Sequence, residues 1–462
     1  MNTQQPTIAA IASPIGQGGV GIIRLSGRTA HQIGCLITRK DKLRPRHAYF
    51  AQFWGDKQLL DEGVVIYFNA PHSFTGEDVV ELQGHGGLVL QNMLLARCFE
   101  LGARQATAGE FSMRAFDNGK MDLVQAEAIS DMISATSTAQ ASSAMRSLSG
   151  EFSKTINDLN ETITTLRLYV EASIDFSDEE DVEFLSDGVI KQKINSILEQ
   201  IDSILANAKQ GQLLRDGVQV VLAGKPNAGK SSLLNRLAKT ERAIVTDVAG
   251  TTRDTLSEVL VLDGLTVHLT DTAGLRDTQD KVEQIGIDRA KQAVRQADIL
   301  LFVYDVSTET APIELAQALF GELIQDIGQA EFERKLLMVA NKSDLLDVSH
   351  ETQQPLGDTP ISHIGVSCQT GQGIDELVAL LKNKVGFHPP ENSLMARTRH
   401  LDALKRAKAH AQDAHTQLTV YQAGELVAES LRLSQQALGE ITGQMSSDEL
   451  LGRIFSSFCI GK

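Results

Sequence analysis

The sequence predicts a multidomain chain of class α/β plus α: an N-terminal α/β domain, a helical bundle split in sequence, and a Ras-like P-loop α/β domain inserted into that bundle. Three observations carry this. Gly224-Lys225-Pro226-Asn227-Ala228-Gly229-Lys230-Ser231 fits GxxxxGK[ST], and it sits between an apolar run, Val218–Ala223, and a helical pattern opened by Leu233, Leu234 and Leu237. Further nucleotide-binding motifs, Asp271-Thr272-Ala273-Gly274 and Asn341-Lys342-Ser343-Asp344, close two more apolar strands downstream. Helical periodicity flanks this block on both sides, at Leu123, Ala126, Ile129 and Ile133 before it and over Leu401–Leu418 after it.

Taken in order, residues 1–118 alternate strand-like runs (Thr7–Ala12, Gly21–Leu25, Val64–Phe68) with glycine turns, and Leu88–Phe99 reads as a helix. Residues 119–214 form the first part of the helical domain. Asp122–Ser149 contains neither Pro nor Gly, and Ile190–Ala208 is amphipathic. The GTPase domain takes 215–386 and ends on a surface helix, Ile374–Val385. After the breaker His388-Pro389-Pro390, residues 387–462 supply the second helical part, with Glu425–Gly439 as a further helix. A nucleotide domain whose two ends lie close together can be inserted into a host bundle without disturbing it. Neither flank alone offers many helices for a core.

Composition bounds the function. The 462 residues suggest roughly three domains at about 150 residues each. No apolar run reaches the ~20 residues of a membrane span, and no secretory signal opens the chain, so a cytoplasmic protein with no membrane role is expected. Cys35, Cys98, Cys368 and Cys459 are scattered without metal-site spacing. The formal charge of −16 would repel a nucleic-acid backbone on average, so any RNA role needs a local patch. Arg39-Lys40-Asp41-Lys42-Leu43-Arg44-Pro45-Arg46 is the densest basic run and reads as a solvated loop.

The motifs specify the nucleotide. In a P-loop, consecutive backbone N–H groups from Asn227 through Ser232 converge on phosphate oxygens at the positive end of a helix. Lys230 would reach the β- and γ-phosphates and the Ser231 hydroxyl would ligate Mg²⁺. Asp271 would hold Mg²⁺ through water, with Thr272 and Ala273 leading to Gly274, whose N–H can face the γ-phosphate. Asp344, behind Asn341 and Lys342, suits the two N–H donors of a guanine edge, which adenine lacks. Ser367 and Cys368 follow a fourth apolar segment, where a backbone N–H can reach the guanine oxygen. The nucleotide is GTP.

Hydrolysis departs from the Ras-like pattern. Leu275 stands where a water-orienting glutamine is expected, and leucine cannot hydrogen-bond water. Glu283 and Arg276 are the candidates for that role. Thr246-Asp247-Val248-Ala249-Gly250-Thr251-Thr252 lies where a switch loop must reach the γ-phosphate, and Thr252 can complete the Mg²⁺ sphere. The Asn227 amide oxygen, with carbonyls of that loop, could enclose a monovalent cation that neutralises developing charge, or Asn227 could simply brace the loop.

Here a resemblance becomes specific. GKPNAGKSS at Gly224–Ser232, GTTRD at Gly250–Asp254, DTAGLR at Asp271–Arg276 and NKSD at Asn341–Asp344 are similar to the MnmE (TrmE) family of tRNA modification GTPases. So are Gly18–Arg24, Thr75–Glu81, Gly109-Glu110-Phe111-Ser112 and the tail Cys459-Ile460-Gly461-Lys462. The resemblance implies an N-terminal tetrahydrofolate-binding and dimerisation domain. It implies a homodimer that works with the flavoprotein MnmG, which carries FAD, in a heterotetramer or larger complex. Together they add an aminomethyl or carboxymethylaminomethyl group at carbon 5 of a tRNA wobble uridine. The folate is expected in its 5,10-methylene or 5-formyl form. Carried over by motif, K⁺ would take Asn227, Thr246, Val248 and Thr251, and Mg²⁺ would take Ser231 and Thr252. Glu283 would position water. Folate contacts would fall on Arg24, Glu81, Lys120 and Lys462, and Cys459 is a candidate nucleophile. Two other readings stand beside this one: a regulatory GTPase of the ribosome-assembly kind without modification chemistry, and a structural dimerisation platform.

Overall fold

The computed structural model of the chain describes residues 5–14, 16–175, 188–240, 257–271, 292–345, 352–356, 359–389, 393–445 and 447–461. Its contacts divide it into two units. One takes Met1–Ser130, Ser147–Ile201 and Ala403–Lys462, the other Asp131–Arg146 and Asp202–Asp402. Among the described residues no helix is long and apolar enough to cross a membrane.

The first unit holds a six-stranded sheet of β1 (Ile8–Ile11), β2 (Gly21–Ser26), β3 (Ala48–Trp54), β4 (Leu59–Phe68), β5 (Val79–Gly84) and β6 (Arg104–Gln105). The strand order is β3-β4-β5-β2-β1-β6. Period-two alternation decides its faces. Ile23 and Leu25 of β2, with Val80 and Leu82 of β5, are buried in a core that includes Ile33 and Ile37 of α1 (Ala30–Thr38) and Leu94 and Cys98 of α2 (Leu88–Glu100). The intervening Arg24 and Glu81 are therefore turned to the opposite face. The antiparallel register places them directly across from each other.

Helix α3 (Glu110–Asp117) anchors that face through buried charge. Arg114, 1% exposed, bonds Glu77 at 2.9 Å and Glu110 at 2.9 Å, and donates to the Pro6 carbonyl. Burial alone would push the Glu110 carboxyl up, but hydrogen bonds from Arg104, the Thr107 N–H and Arg114 bring it down to about 2. A carboxyl whose folded value lies below its unfolded one stabilises above pH ~4.5 and surrenders that contribution as pH falls toward ~2. Arg104 is 45% exposed, so solvent screening discounts the effect to on the order of 2 kcal/mol. Thermal melts are expected to lose stability over that acid window, and Glu110→Gln is expected to flatten the loss. An unchanged acid limb in the variant would remove Glu110 as its source.

Also in this unit, α6 (Glu151–Asp175) packs along the helix Gly424–Thr442, so the helical bundle is split in sequence. Arg167 Nη1 donates to Gln435 Oε1 at 2.6 Å, and Ser434 Oγ donates to the Ala407 carbonyl at 3.0 Å.

The region Asp122–Ser149, free of Pro and Gly, is two helices rather than one: α4 (Leu123–Ser134) and α5 (Thr138–Leu148). Ser137 accepts the Gln140 N–H on its Oγ while Gln140 Oε1 takes the Thr136 N–H, a capping-box arrangement that stops one helix and starts the next.

In the second unit a seven-stranded sheet runs β12-β13-β11-β10-β7-β9-β8. Its strands are β7 (Val218–Ala223), β8 (Ser257–Leu262), β9 (Leu265–Asp271), β10 (Ile299–Asp305), β11 (Leu336–Asn341), β12 (Thr352–Leu356) and β13 (Thr359–Val366). β13, β11, β10, β7 and β9 are parallel, with β8 and β12 antiparallel at the two edges. Apolar cores cover both faces, as near-continuous runs such as Ile299–Val303 require. Ligands in such sheets bind outside the carboxyl ends of the strands, where β7, β10 and β11 all terminate here.

Candidate functional site

The nucleotide site is built from three strand ends. Helix α7 (Val189–Asp216) precedes β7, which turns through Gly224–Gly229 into α8 (Lys230–Thr240). Asn227 is exposed at the crest of the turn with φ +64°. Gly229 has φ +95°, and a Cβ there would lie 2.0 Å from Asn341 Nδ2, so only glycine lets the loop approach β11. Lys230 Nζ donates to the Gly224 and Lys225 carbonyls at 2.8 and 3.0 Å, which folds its side chain over the loop. The Ser231 and Ser232 side chains are exposed in the first turn of α8.

Asn341, 2% exposed, ties this loop to the loop that follows β13. Its Nδ2 donates to the Ala228 carbonyl at 2.9 Å, and its Oδ1 accepts the Cys368 N–H at 3.4 Å. Lys342 follows with φ +63° and pairs with Asp305 at 2.6 Å. That contact and the Ser307 hydroxyl hold the Asp305 carboxyl below its usual range. Asp344 is exposed on a short turn, Ser343–Leu345. Ser367 is fully buried and turns the chain back through Thr370 N–H to its Oγ. Burial pushes the Cys368 thiol up, so it packs rather than reacts.

The structure thus brings together Asn227, Ala228, Gly229, Lys230, Ser231, Ser232, Asn341, Lys342, Asp344, Ser367 and Cys368. Asp271 ends β9 at the same edge of the sheet. Thr246, Asp247, Val248, Ala249, Gly250, Thr251, Thr252, Thr272, Ala273, Gly274, Leu275, Arg276 and Glu283 lie outside the described residues. Sequence reasoning missed the strand β10 and the Asp305–Lys342 and Lys225–Glu309 pairs, the latter at 2.6 Å. The apolar run Ile299–Tyr304 ending on Asp305 is the signal that would have found them.

A second constellation lies in the first unit. Arg24 bonds Glu81 through Nε at 3.0 Å and Nη2 at 2.9 Å. Phe74 and Phe111 flank its guanidinium, with ring centroids 5.7 and 5.9 Å away. Arg24 Nη1 also donates to the Gly461 carbonyl at 3.3 Å, so the tail reaches this face. The tail is fixed on both sides of Cys459. Phe455 and Phe458 are buried with Leu123 and Ala126, while Ile460 bridges to Ala108. At Gly461, φ +96°, a Cβ would stand 2.2 Å from the Ile11 carbonyl oxygen. Cys459 itself is exposed, its carbonyl accepting the Gly109 N–H at 3.4 Å. Lys120 is tied to the Pro71 carbonyl at 3.1 Å, on the loop that carries Phe74, and makes no direct bond to Arg24 or Glu81. Lys462 lies outside the described residues. The constellation offers one donor, the Arg24 guanidinium, one acceptor, the Glu81 carboxylate, and two aromatic rings against which a planar group can pack.

Comparison with known proteins adds two family matches: the MnmE helical domain over residues 123–459 and the GTP-binding protein TrmE N-terminus over residues 7–120. A tRNA modification GTPase MnmE of Psychrobacter sp. (strain PRwf-1) is 64% identical and covers 100% of both chains. The protein of the same name in Acinetobacter baumannii (strain ATCC 17978) is 56% identical over 99% of both chains. Among solved structures, a GTP-binding protein of Sulfolobus solfataricus in complex with GDP aligns at 17% identity over 61% of this chain and 79% of its own. Its TM-score is 0.27, too low to argue from.

Proposed function

Because the chain belongs to the MnmE family of tRNA modification GTPases, we propose that its GTP hydrolysis drives modification of the wobble uridine of tRNA. The reaction adds an aminomethyl or carboxymethylaminomethyl group at carbon 5. The chain acts as a homodimer with the flavoprotein MnmG, which holds FAD, in the cytoplasm where tRNA is found. The observation that carries the reading is the docking of the Cys459–Gly461 segment beside the Arg24–Glu81 pair.

In the nucleotide site, the N–H groups from Asn227 to Ser232 and the Lys230 ammonium bind the phosphates, and Asp344 orients guanine. The oxygen donors suit hard cations. Ser231 and Thr252 would hold Mg²⁺, while the Asn227 amide with the carbonyls of Thr246, Val248 and Thr251 would hold K⁺. When bound, such ions would neutralise charge that develops on the phosphates. Glu283 positions the attacking water, and Arg276 is the alternative. In the other site, Glu81 would accept from the pterin edge of a tetrahydrofolate, and Arg24, Lys120 and Lys462 would supply the cations for its carboxylates. When bound, the folate supplies the one-carbon unit. Cys459, exposed and two residues before Gly461, is the candidate nucleophile.

Deleting Cys459–Lys462 is expected to abolish wobble modification while GTP turnover stays near the wild-type rate. Modified tRNA at wild-type level in the truncated protein would instead favour a GTPase without modification chemistry.

A further inference from the structure

We infer that the loop Arg39–Arg46 and the aromatic side chains beneath it form a docking surface for the phosphate backbone of RNA. This rests on the tRNA reading above and adds the place where the RNA is held. The chain carries 59 acidic against 43 basic residues, so a patch that attracts phosphate must escape neutralisation by its own acids.

This run does escape. Many arginines of the described residues are in ion pairs, among them Arg24, Arg97, Arg104, Arg114, Arg215 and Arg397. Arg39, Lys40, Lys42, Arg44 and Arg46 make none among the described residues, and Asp41 is the one acid within the run. Two of these side chains, Arg39 and Lys40, are pre-set on rings of β3. The Arg39 guanidinium carbon sits 3.9 Å from the Trp54 ring centroid, and Lys40 Nζ lies 5.2 Å above Tyr49. His47 packs edge-on to Tyr49 with centroids 4.4 Å apart, and the Tyr49 hydroxyl accepts the Arg44 N–H at 3.2 Å. Arg46 is fixed through the His72 carbonyl at 3.2 Å.

An arginine backed by an indole keeps its charge in water while losing little freedom on binding. It also offers a planar face on which an unpaired base can stack. Two cations held on aromatic side chains, with Lys42, Arg44 and Arg46 beside them in the same loop, match what single-stranded nucleic-acid surfaces use. β3 is an edge strand of its sheet, and among the described residues Arg39, Lys42, Arg44 and Arg46 are exposed, with Tyr49 and Trp54 half-buried.

The test is fluorescence anisotropy of the full chain with a labelled, unmodified tRNA transcript, titrated from 50 to 300 mM KCl. Each lost phosphate contact lowers the slope of log affinity against log salt by about 0.7 to 0.9. Arg44→Ala/Arg46→Ala is therefore expected to lower the slope by about 1.4 to 1.8 and to weaken binding roughly 25- to 60-fold near 0.1 M salt. Arg39→Lys keeps the charge but not the plane. It is expected to leave the slope unchanged and weaken binding about fivefold. Lys154→Ala, an exposed lysine on α6, is expected to change neither quantity, and RNA-free GTP turnover is expected to stay constant in every variant.

Wild-type affinity and slope in Arg44→Ala/Arg46→Ala would overturn the inference while leaving the tRNA reading intact. No tRNA binding by the wild-type chain would defeat that reading and the inference with it. A fall in molar mass by light scattering that accompanies the loss would make the patch a contact between copies of this chain, and would also overturn the inference.

Discussion

Gly229→Ala is expected to weaken GTP binding by at least about thirtyfold. The backbone there has φ +95°, a region that costs an L-residue roughly 1–2 kcal/mol. The added Cβ would also stand 2.0 Å from Asn341 Nδ2. That amide has no room to yield, because it is buried and already bonded to the Ala228 carbonyl and the Cys368 N–H. Displacing it strands buried polar groups at about 1–3 kcal/mol and uncouples the phosphate loop from the base loop. Titration with a fluorescent GTP analogue measures the loss. Asn341→Ala alone should weaken binding about tenfold. In the double variant the clash is absent, so the combined loss should fall short of the product of the two single losses. Full multiplicativity would show that the two residues act independently.

Asn227→Ala is expected to erase the preference of GTP turnover for K⁺ over Na⁺. In the wild type that preference should exceed about tenfold, part of the ~10³–10⁵-fold that an arginine finger supplies elsewhere. Asn227 stands exposed at the crest of the phosphate loop in a left-handed conformation, which asparagine tolerates better than most residues. An alanine at that position keeps the loop length but removes the only side-chain oxygen proposed for the cation. Steady-state rates in matched KCl and NaCl decide the point. Equal wild-type rates in the two salts would end the K⁺ proposal, and a K⁺ preference that survives the substitution would move the ion to other ligands.

The elements around the candidate nucleotide site were legible because their signals are short and contiguous. The P-loop strand, its helix and Ile374–Val385 appear where periodicity and glycine placed them. β10 escaped because Ile299–Asp305 carries no motif, although it lies beside β7 at the centre of the sheet. The break between α4 and α5 escaped because Ser137 and Gln140 stop a helix by side-chain hydrogen bonds, with no Pro or Gly to announce it. At the second site, Arg24 and Glu81 came from a resemblance. Their direct pairing, and the approach of Gly461, depend on a register between β2 and β5 and on a tail more than 430 residues away along the chain. Phe74 flanks Arg24 because Arg114, Asn118 and Lys120 each hold part of the loop that carries it. No local pattern reports a contact of that kind.

Whether GTP hydrolysis by this chain drives tRNA modification is decided by nucleoside mass spectrometry of tRNA from cells lacking the chain, complemented with the wild type or with Glu283→Ala. Modified wobble uridine is expected with the wild type. Unmodified uridine is expected with Glu283→Ala, whose GTP affinity should be near normal and its turnover strongly reduced. Full modification by a Glu283→Ala protein that hydrolyses no GTP would sever modification from hydrolysis.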